Sequence, residues 1–92
     1  SVEYIVNVVC DHLDVAIEEF YSKSKKREIV QARQLAMYFA KKFTKCSLAM
    51  IGQQCGGTDH ATVIHALKTV ANLLETDKQF RTLATEIEKN IC

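Results

Sequence analysis

Proline and tryptophan are absent from these 92 residues, and glycine occurs only at Gly52, Gly56 and Gly57. With no proline and two of the three glycines adjacent, little interrupts a helix interior, so an all-α fold is expected. No apolar run approaches the roughly 20 residues that a bilayer span needs, and no signal-like start is present. The four cysteines (Cys10, Cys46, Cys55 and Cys92) contain no C-x-x-C pair, and with His12, His60 and His65 they form no zinc spacing. His60 and His65 are five residues apart, poorly placed to share a metal on one helix face. Free thiols are expected, Cys10 and Cys55 packed, Cys46 and Cys92 more exposed, in a reducing cytosol. A G-x-x-x-x-G-K-[ST] phosphate loop is also missing. What remains is one small soluble domain with one core and no expected metal or cofactor.

Charge of one sign is missing locally. Residues 1–21 carry five acids and no Lys or Arg, whereas residues 22–45 carry eight bases against Glu28 alone. The overall charge of +1 therefore conceals a basic segment on a nearly neutral body, a footprint suited to a polyanion. A solvated helix face usually intersperses both signs, which this segment does not.

Apolar spacing supplies the elements. A first helix is expected from about Val2 to Leu13, with Val2, Ile5, Val6, Val9 and Leu13 on one stripe. Asp14 is expected to cap a short second helix through Tyr21 that packs Val15, Ile17 and Phe20. After the basic connector Ser22–Arg27, a long helix from about Glu28 to Thr44 buries Ile29, Ala32, Leu35, Ala36, Phe39 and Phe43. Ser47 to Cys55 reads as a short amphipathic helix. Gly56-Gly57 then precede a helix with the stripe Val63, Leu67, Val70, Leu74. Thr76-Asp77-Lys78-Gln79 fits a capping box opening the last helix, with Phe80, Leu83, Ala84, Ile87 and Ile91 inward.

Two helices joined by a tight glycine turn have the form of a helix-turn-helix, whose second helix enters the DNA major groove. The residues opening that helix, Thr58 to Thr62, are small or hydrogen-bonding. Thr58 suits the cap, Asp59 can accept from a cytosine amino group, and His60, Ala61 and Thr62 suit a thymine edge. A plainer reading makes Thr58 and Asp59 only good helix starters. Adjacent Asp59 and His60 point around a helix in different directions, and no Ser or Cys completes a relay, so no catalytic residue is expected. The basic connector suits an arm reaching a groove or the phosphates, and the free amides at Leu48 and Ala49 make a phosphate seat.

In order, Ser22-Lys23, Ala32-Arg33-Gln34-Leu35-Ala36-Met37-Tyr38, Thr44 with Ser47-Leu48, Ile51-Gly52, Gly56-Gly57, Asp59-His60, Thr62-Val63 and His65-Ala66 form a pattern that resembles the carboxy-terminal DNA-binding domain of the DnaA family of bacterial replication initiators. The resemblance covers essentially the whole chain, the first and last helices in pattern only. It implies a Trp-repressor-like helix-turn-helix bundle of about five to six helices, with residues 1–92 a single DNA-binding domain of a larger AAA+ initiator. It implies binding of double-stranded DNA at origin boxes of the TTATCCACA type, in the cytoplasm at the nucleoid. Base reading carries onto Asp59, His60 and Thr62, with Ala61 at the remaining contact position and Lys25 in the minor groove. Phosphate contacts carry onto Arg33, Gln34, Lys41, Leu48 (main chain), His65 and Lys68, and Lys26, Arg27, Lys45, Ser47 and Thr58 join them. ATP, Mg and the oligomerising machinery belong to an upstream domain. The isolated domain is expected to be monomeric and the full-length protein to oligomerise on DNA.

Three positions depart from the family's usual Gly-Gly-Arg-Asp-His-Thr-Thr-Val and its loop arginine: Thr58, Ala61 and Lys25. Thr58 removes a cation, Ala61 keeps a methyl without its hydroxyl, and Lys25 replaces a flat guanidinium by a more strongly hydrated point charge. Two rival readings are a Trp-repressor-like transcriptional regulator, which needs a ligand pocket and a dimer face, and a helical protein-interaction module.

Overall fold

A computed structural model describes all 92 residues as six helices with no strand: α1 (Val2–Leu13), α2 (Ile17–Phe20), α3 (Arg27–Phe43), α4 (Leu48–Gln54), α5 (His60–Thr76) and α6 (Lys78–Ile91). The expected all-α helix-turn-helix bundle is what forms. Its helices share one core cluster of 22 buried residues, and no polar side chain is buried in it.

Helix α3 organises the bundle, packing against α1, α2, α4 and α5. It buries Ile29, Ala32, Leu35, Ala36, Met37, Phe39 and Ala40, a wider band than a single stripe. Met37 and Ala40 were not expected in the core, because a helix with neighbours on several sides is apolar over more than one face. Phe43, expected inside, is 37% exposed at the helix end; its ring stacks on Phe39 and lies 5.5 Å from the Lys42 ammonium.

Local capping corrects three expectations. Asp14 does not open α2; it ends α1 in the left-handed region at φ 57°. There the Val15 amide donates to the Cys10 carbonyl at 2.9 Å, a Schellman-type closure that seats Val15 in the core. Asp tolerates this conformation better than most residues. Helix α2 starts at Ala16 without a side-chain cap, and it buries Phe20 while leaving Ile17 37% exposed. The opening of α6 is likewise not a Thr76 capping box: Asp77 Oδ1 accepts from the Phe80 amide at 3.0 Å, while the Thr76 hydroxyl donates back to the Asn72 carbonyl. At α5 the cap is Asp59, not Thr58, as described below.

Leu13, Leu48, Leu67, Leu74, Leu83 and Ile91, expected inward, are half-buried around the cluster, while Val63, Ala66 and Val70 form the fully buried stripe of α5. Cys10 and Cys55 are buried, Cys46 is intermediate and Cys92 is exposed, as expected. Burial pushes the Cys10 thiol up to about 11 and the Cys55 thiol up to about 12. No helix is long and apolar enough to cross a membrane, and no three His, Cys, Asp or Glu side chains are grouped to hold a metal ion.

Candidate nucleic-acid interface

The turn between α4 and α5 is set by its glycines. Gly56 and Gly57 have φ of 115° and 73°, where a side chain would be strained. Gly52, inside α4, faces a different constraint: a Cβ there would run into the Thr58 carbonyl and meet Val63 Cγ2 at 3.1 Å. The Thr58 amide donates to the Gly52 carbonyl at 2.9 Å, and the Thr58 hydroxyl reaches the same oxygen at 3.4 Å. Close approach at Gly52 thus fixes where α5 begins.

Asp59 caps α5, its Oδ1 accepting from the Thr62 amide at 2.8 Å. This bond holds the carboxyl below its usual range. The charge also lies at the positive end of the helix dipole. The Thr62 side chain adds to the lowering, and the carboxylate as a whole remains exposed. His60, Ala61 and Thr62, the first three residues of α5, are all exposed, as are His65 and Lys68 further along. A 17-residue helix whose opening turn carries no core side chain presents that turn to solvent.

Beside this turn runs the basic connector. A cleft of about 170 Å³ is lined by Lys25 of the connector, Arg33, Gln34 and Met37 of α3, and Thr58, Thr62 and His65 of the helix-turn-helix. Six of the expected site residues therefore meet around one opening. A second cleft joins Lys25 and Gln34 to Arg27, Gln31 and Thr69. Gln31 and Thr69 were not foreseen, yet Gln31 lies one turn before Gln34 on α3 and Thr69 one turn after His65 on α5. That i, i+3 or i+4 spacing is the signal that finds them. The Thr69 hydroxyl and His65 Nε2 are 3.5 Å apart.

The remaining expected residues lie outside these clefts. Lys26 is exposed and makes only a long, 3.8 Å ion pair with Glu19. Lys41 and Lys45 are exposed. Lys42, by contrast, is tied to Glu88 of α6 at 3.0 Å, and that hydrogen bond raises its pKa. Ser47 caps α4, its hydroxyl accepting from the Met50 amide at 3.1 Å, and the Leu48 amide has no acceptor within the chain.

Arg33 differs most from expectation. Its guanidinium turns back into the protein and donates to four backbone carbonyls: Phe20 at 2.7 Å, Ser24 at 2.7 Å, Ser22 at 2.6 Å and Glu19 at 3.2 Å. Of five N–H donors, one is left over.

Comparison with known proteins by sequence finds a family model and several relatives. A family model described as the bacterial dnaA protein helix-turn-helix matches residues 2–70, that is, α1 through the first eleven residues of α5. The chain is 55% identical over 91 residues to the chromosomal replication initiator protein DnaA of Flavobacterium psychrophilum, covering 99% of the chain and 19% of the relative. It is 50% identical over 88 residues to the protein of that name from Bacteroides thetaiotaomicron, covering 96% and 19%. To the Wolbachia pipientis wMel protein of that name it is 42% identical over 89 residues, covering 97% and 19%. The chain thus spans about a fifth of the length of these relatives.

Proposed function

We propose, from the premise that this chain belongs to the bacterial DnaA family and is its helix-turn-helix part, that it binds duplex DNA sequence-specifically at short asymmetric origin boxes. In this reading it directs the initiation of chromosome replication as part of a longer protein. The observation that carries the reading is the exposed opening turn of α5, set across one cleft from Lys25.

With the start of α5 in the major groove, Asp59 Oδ2 accepts from a cytosine amino group while Oδ1 keeps the cap. His60, Ala61 and Thr62 meet thymine edges. Lys25 enters the adjacent minor groove. Gln34, Lys41, Lys45, Ser47, the Leu48 amide, Thr58, His65 and Lys68 meet phosphates, with Lys26 and Arg27 beside them. These contacts fix register without reading sequence. Arg33 is left out of that set, because its donors are engaged inside the protein. The domain works as a monomer here, while ATP and Mg serve the longer protein elsewhere; these residues contain no phosphate loop to hold a nucleotide.

Asp59→Asn tests the reading cleanly. Asparagine caps as well as aspartate, so α5 keeps its start. The atom outside the cap becomes an amide donor, which no longer accepts from cytosine. Preference at one base pair should shift away from cytosine by about 1–3 kcal/mol, with the salt slope unchanged. An unchanged base preference would mean that Asp59 serves only as a cap, a role that asparagine retains.

A further inference from the structure

We infer that Arg33 is the positioning residue of the basic connector: it shapes the segment that carries Lys23, Lys25 and Lys26, and does not itself act as a phosphate contact. The inference rests on the reading above insofar as Lys25 is taken to meet DNA.

The connector has little structure of its own. Between Tyr21 and Arg27 its amides make one backbone bond, Ser22 to the Glu19 carbonyl, and two bonds to side chains, Ser24 to Ser22 Oγ and Lys26 to Ser24 Oγ. Helix α2 is a single turn, so the Glu19 and Phe20 carbonyls at its end have no helix to complete them. One planar guanidinium collects both, together with the Ser22 and Ser24 carbonyls, from a rigid position inside α3. Four acceptors from four residues fix the path of the connector as no apolar contact could. Residues 23, 25 and 26 are all exposed lysines with no core side chain to anchor them.

Geometry links this hub to the recognition turn. Arg33 lines the cleft that joins Lys25 to Thr58, Thr62 and His65, and also a neighbouring one that joins Lys23 and Lys25 to Gly56 and Thr58. The arginine therefore sets the distance between the two DNA-reading parts, the connector and the start of α5. Lysine cannot replace it, since an ammonium has three donors on one atom and cannot span four carbonyls spread around a plane.

The test compares the unmodified chain with Arg33→Lys, Lys25→Ala, their double variant, and the pair Ser22→Ala plus Ser24→Ala. Each is titrated against a box duplex and a duplex whose A·T step at the minor-groove end is changed to G·C, at two salt concentrations. Amide hydrogen exchange of residues 22–26 is followed in parallel. Arg33→Lys should lose preference for the A·T step by about fivefold or more, as far as Lys25→Ala does. It should keep the salt slope to within one counterion. The double variant should lose no further preference. The serine pair should reach a partial loss by loosening the connector with every charge retained. Exchange at residues 22–26 should rise in Arg33→Lys while α5 is unchanged.

If Arg33→Lys retains the A·T preference, or if the Arg33 and Lys25 losses multiply, Arg33 is a phosphate contact and the inference fails. Unchanged connector exchange in Arg33→Lys overturns it without reference to DNA. By contrast, an unmodified chain that shows no box preference sinks the functional reading, whatever the exchange result.

Discussion

At the scale of single residues, Asp59 caps α5 and, on the proposed reading, also faces the DNA. The Thr62 amide holds its carboxyl below the usual value. Because the native value is the lower one, the cap's stabilisation is complete above the unfolded value of about 3.9 and is lost as pH falls through the native value. Acidification should therefore release the first turn of α5 before the core opens. Amide exchange at residues 60–63 should rise with protonation of Asp59; a carboxyl titrating at or above 3.9 would contradict the cap. The thiols make a second residue-scale case. Cys92 should alkylate rapidly at pH 8 and Cys46 more slowly, while Cys10 and Cys55, buried and held neutral, should react only on unfolding. Equal labelling of all four in the native protein would contradict the packing. At this scale the sequence placed Asp59, His60 and Thr62 at the opening of a helix and separated the packed Cys10 and Cys55 from the more exposed Cys46 and Cys92, as the fold has them. What was not legible is which of two adjacent polar residues caps a helix. Thr58 against Asp59, and Thr76 against Asp77, differ by one residue in where the chain leaves helical geometry, and that is decided by packing such as the Gly52–Thr58 approach.

At the scale of elements, the approach of α4 to α5 decides the site. Alanine is a better helix former than glycine by about 1 kcal/mol, but at Gly52 its Cβ would have to displace the Thr58 carbonyl. The steric effect should win: Gly52→Ala should destabilise by about 1–3 kcal/mol and lower Tm, with weaker DNA binding because the start of α5 moves. A Tm at or above that of the unmodified chain would contradict the fit. Along α3, neighbouring lysines have different partners. Lys42 is held by Glu88 on α6, an exposed pair contributing at most about 1 kcal/mol, whereas Lys41 makes no ion pair. Lys41→Ala should reduce the salt slope of DNA binding by roughly one, and Lys42→Ala should leave it nearly unchanged. The reverse order would misplace the DNA-facing side of α3. Helix positions and the long α3 could be read from apolar spacing alone. A short helix before the connector was also readable, though not that it starts after Ala16 and lasts a single turn. The inward turn of Arg33 could not be read, because it depends on carbonyls thirteen or so residues away in sequence that only the folded chain brings together.

At the scale of the whole molecule, a net charge of +1 is divided between an acid-bearing start and a basic stretch from the connector through α3. The basic stretch borders the recognition turn around shared clefts. On the proposed reading, phosphate attraction and base reading belong to one face, and the two separate by their response to salt and to sequence. The central claim, that this face reads sequence and does more than attract a polyanion, is tested most directly by a titration of the unmodified chain at one physiological salt concentration. The duplexes are an origin box and a scrambled sequence of the same length and composition. Tighter binding to the box, on the order of 10³-fold, is the predicted result. Equal affinity for the two duplexes would contradict it and leave only a cationic surface.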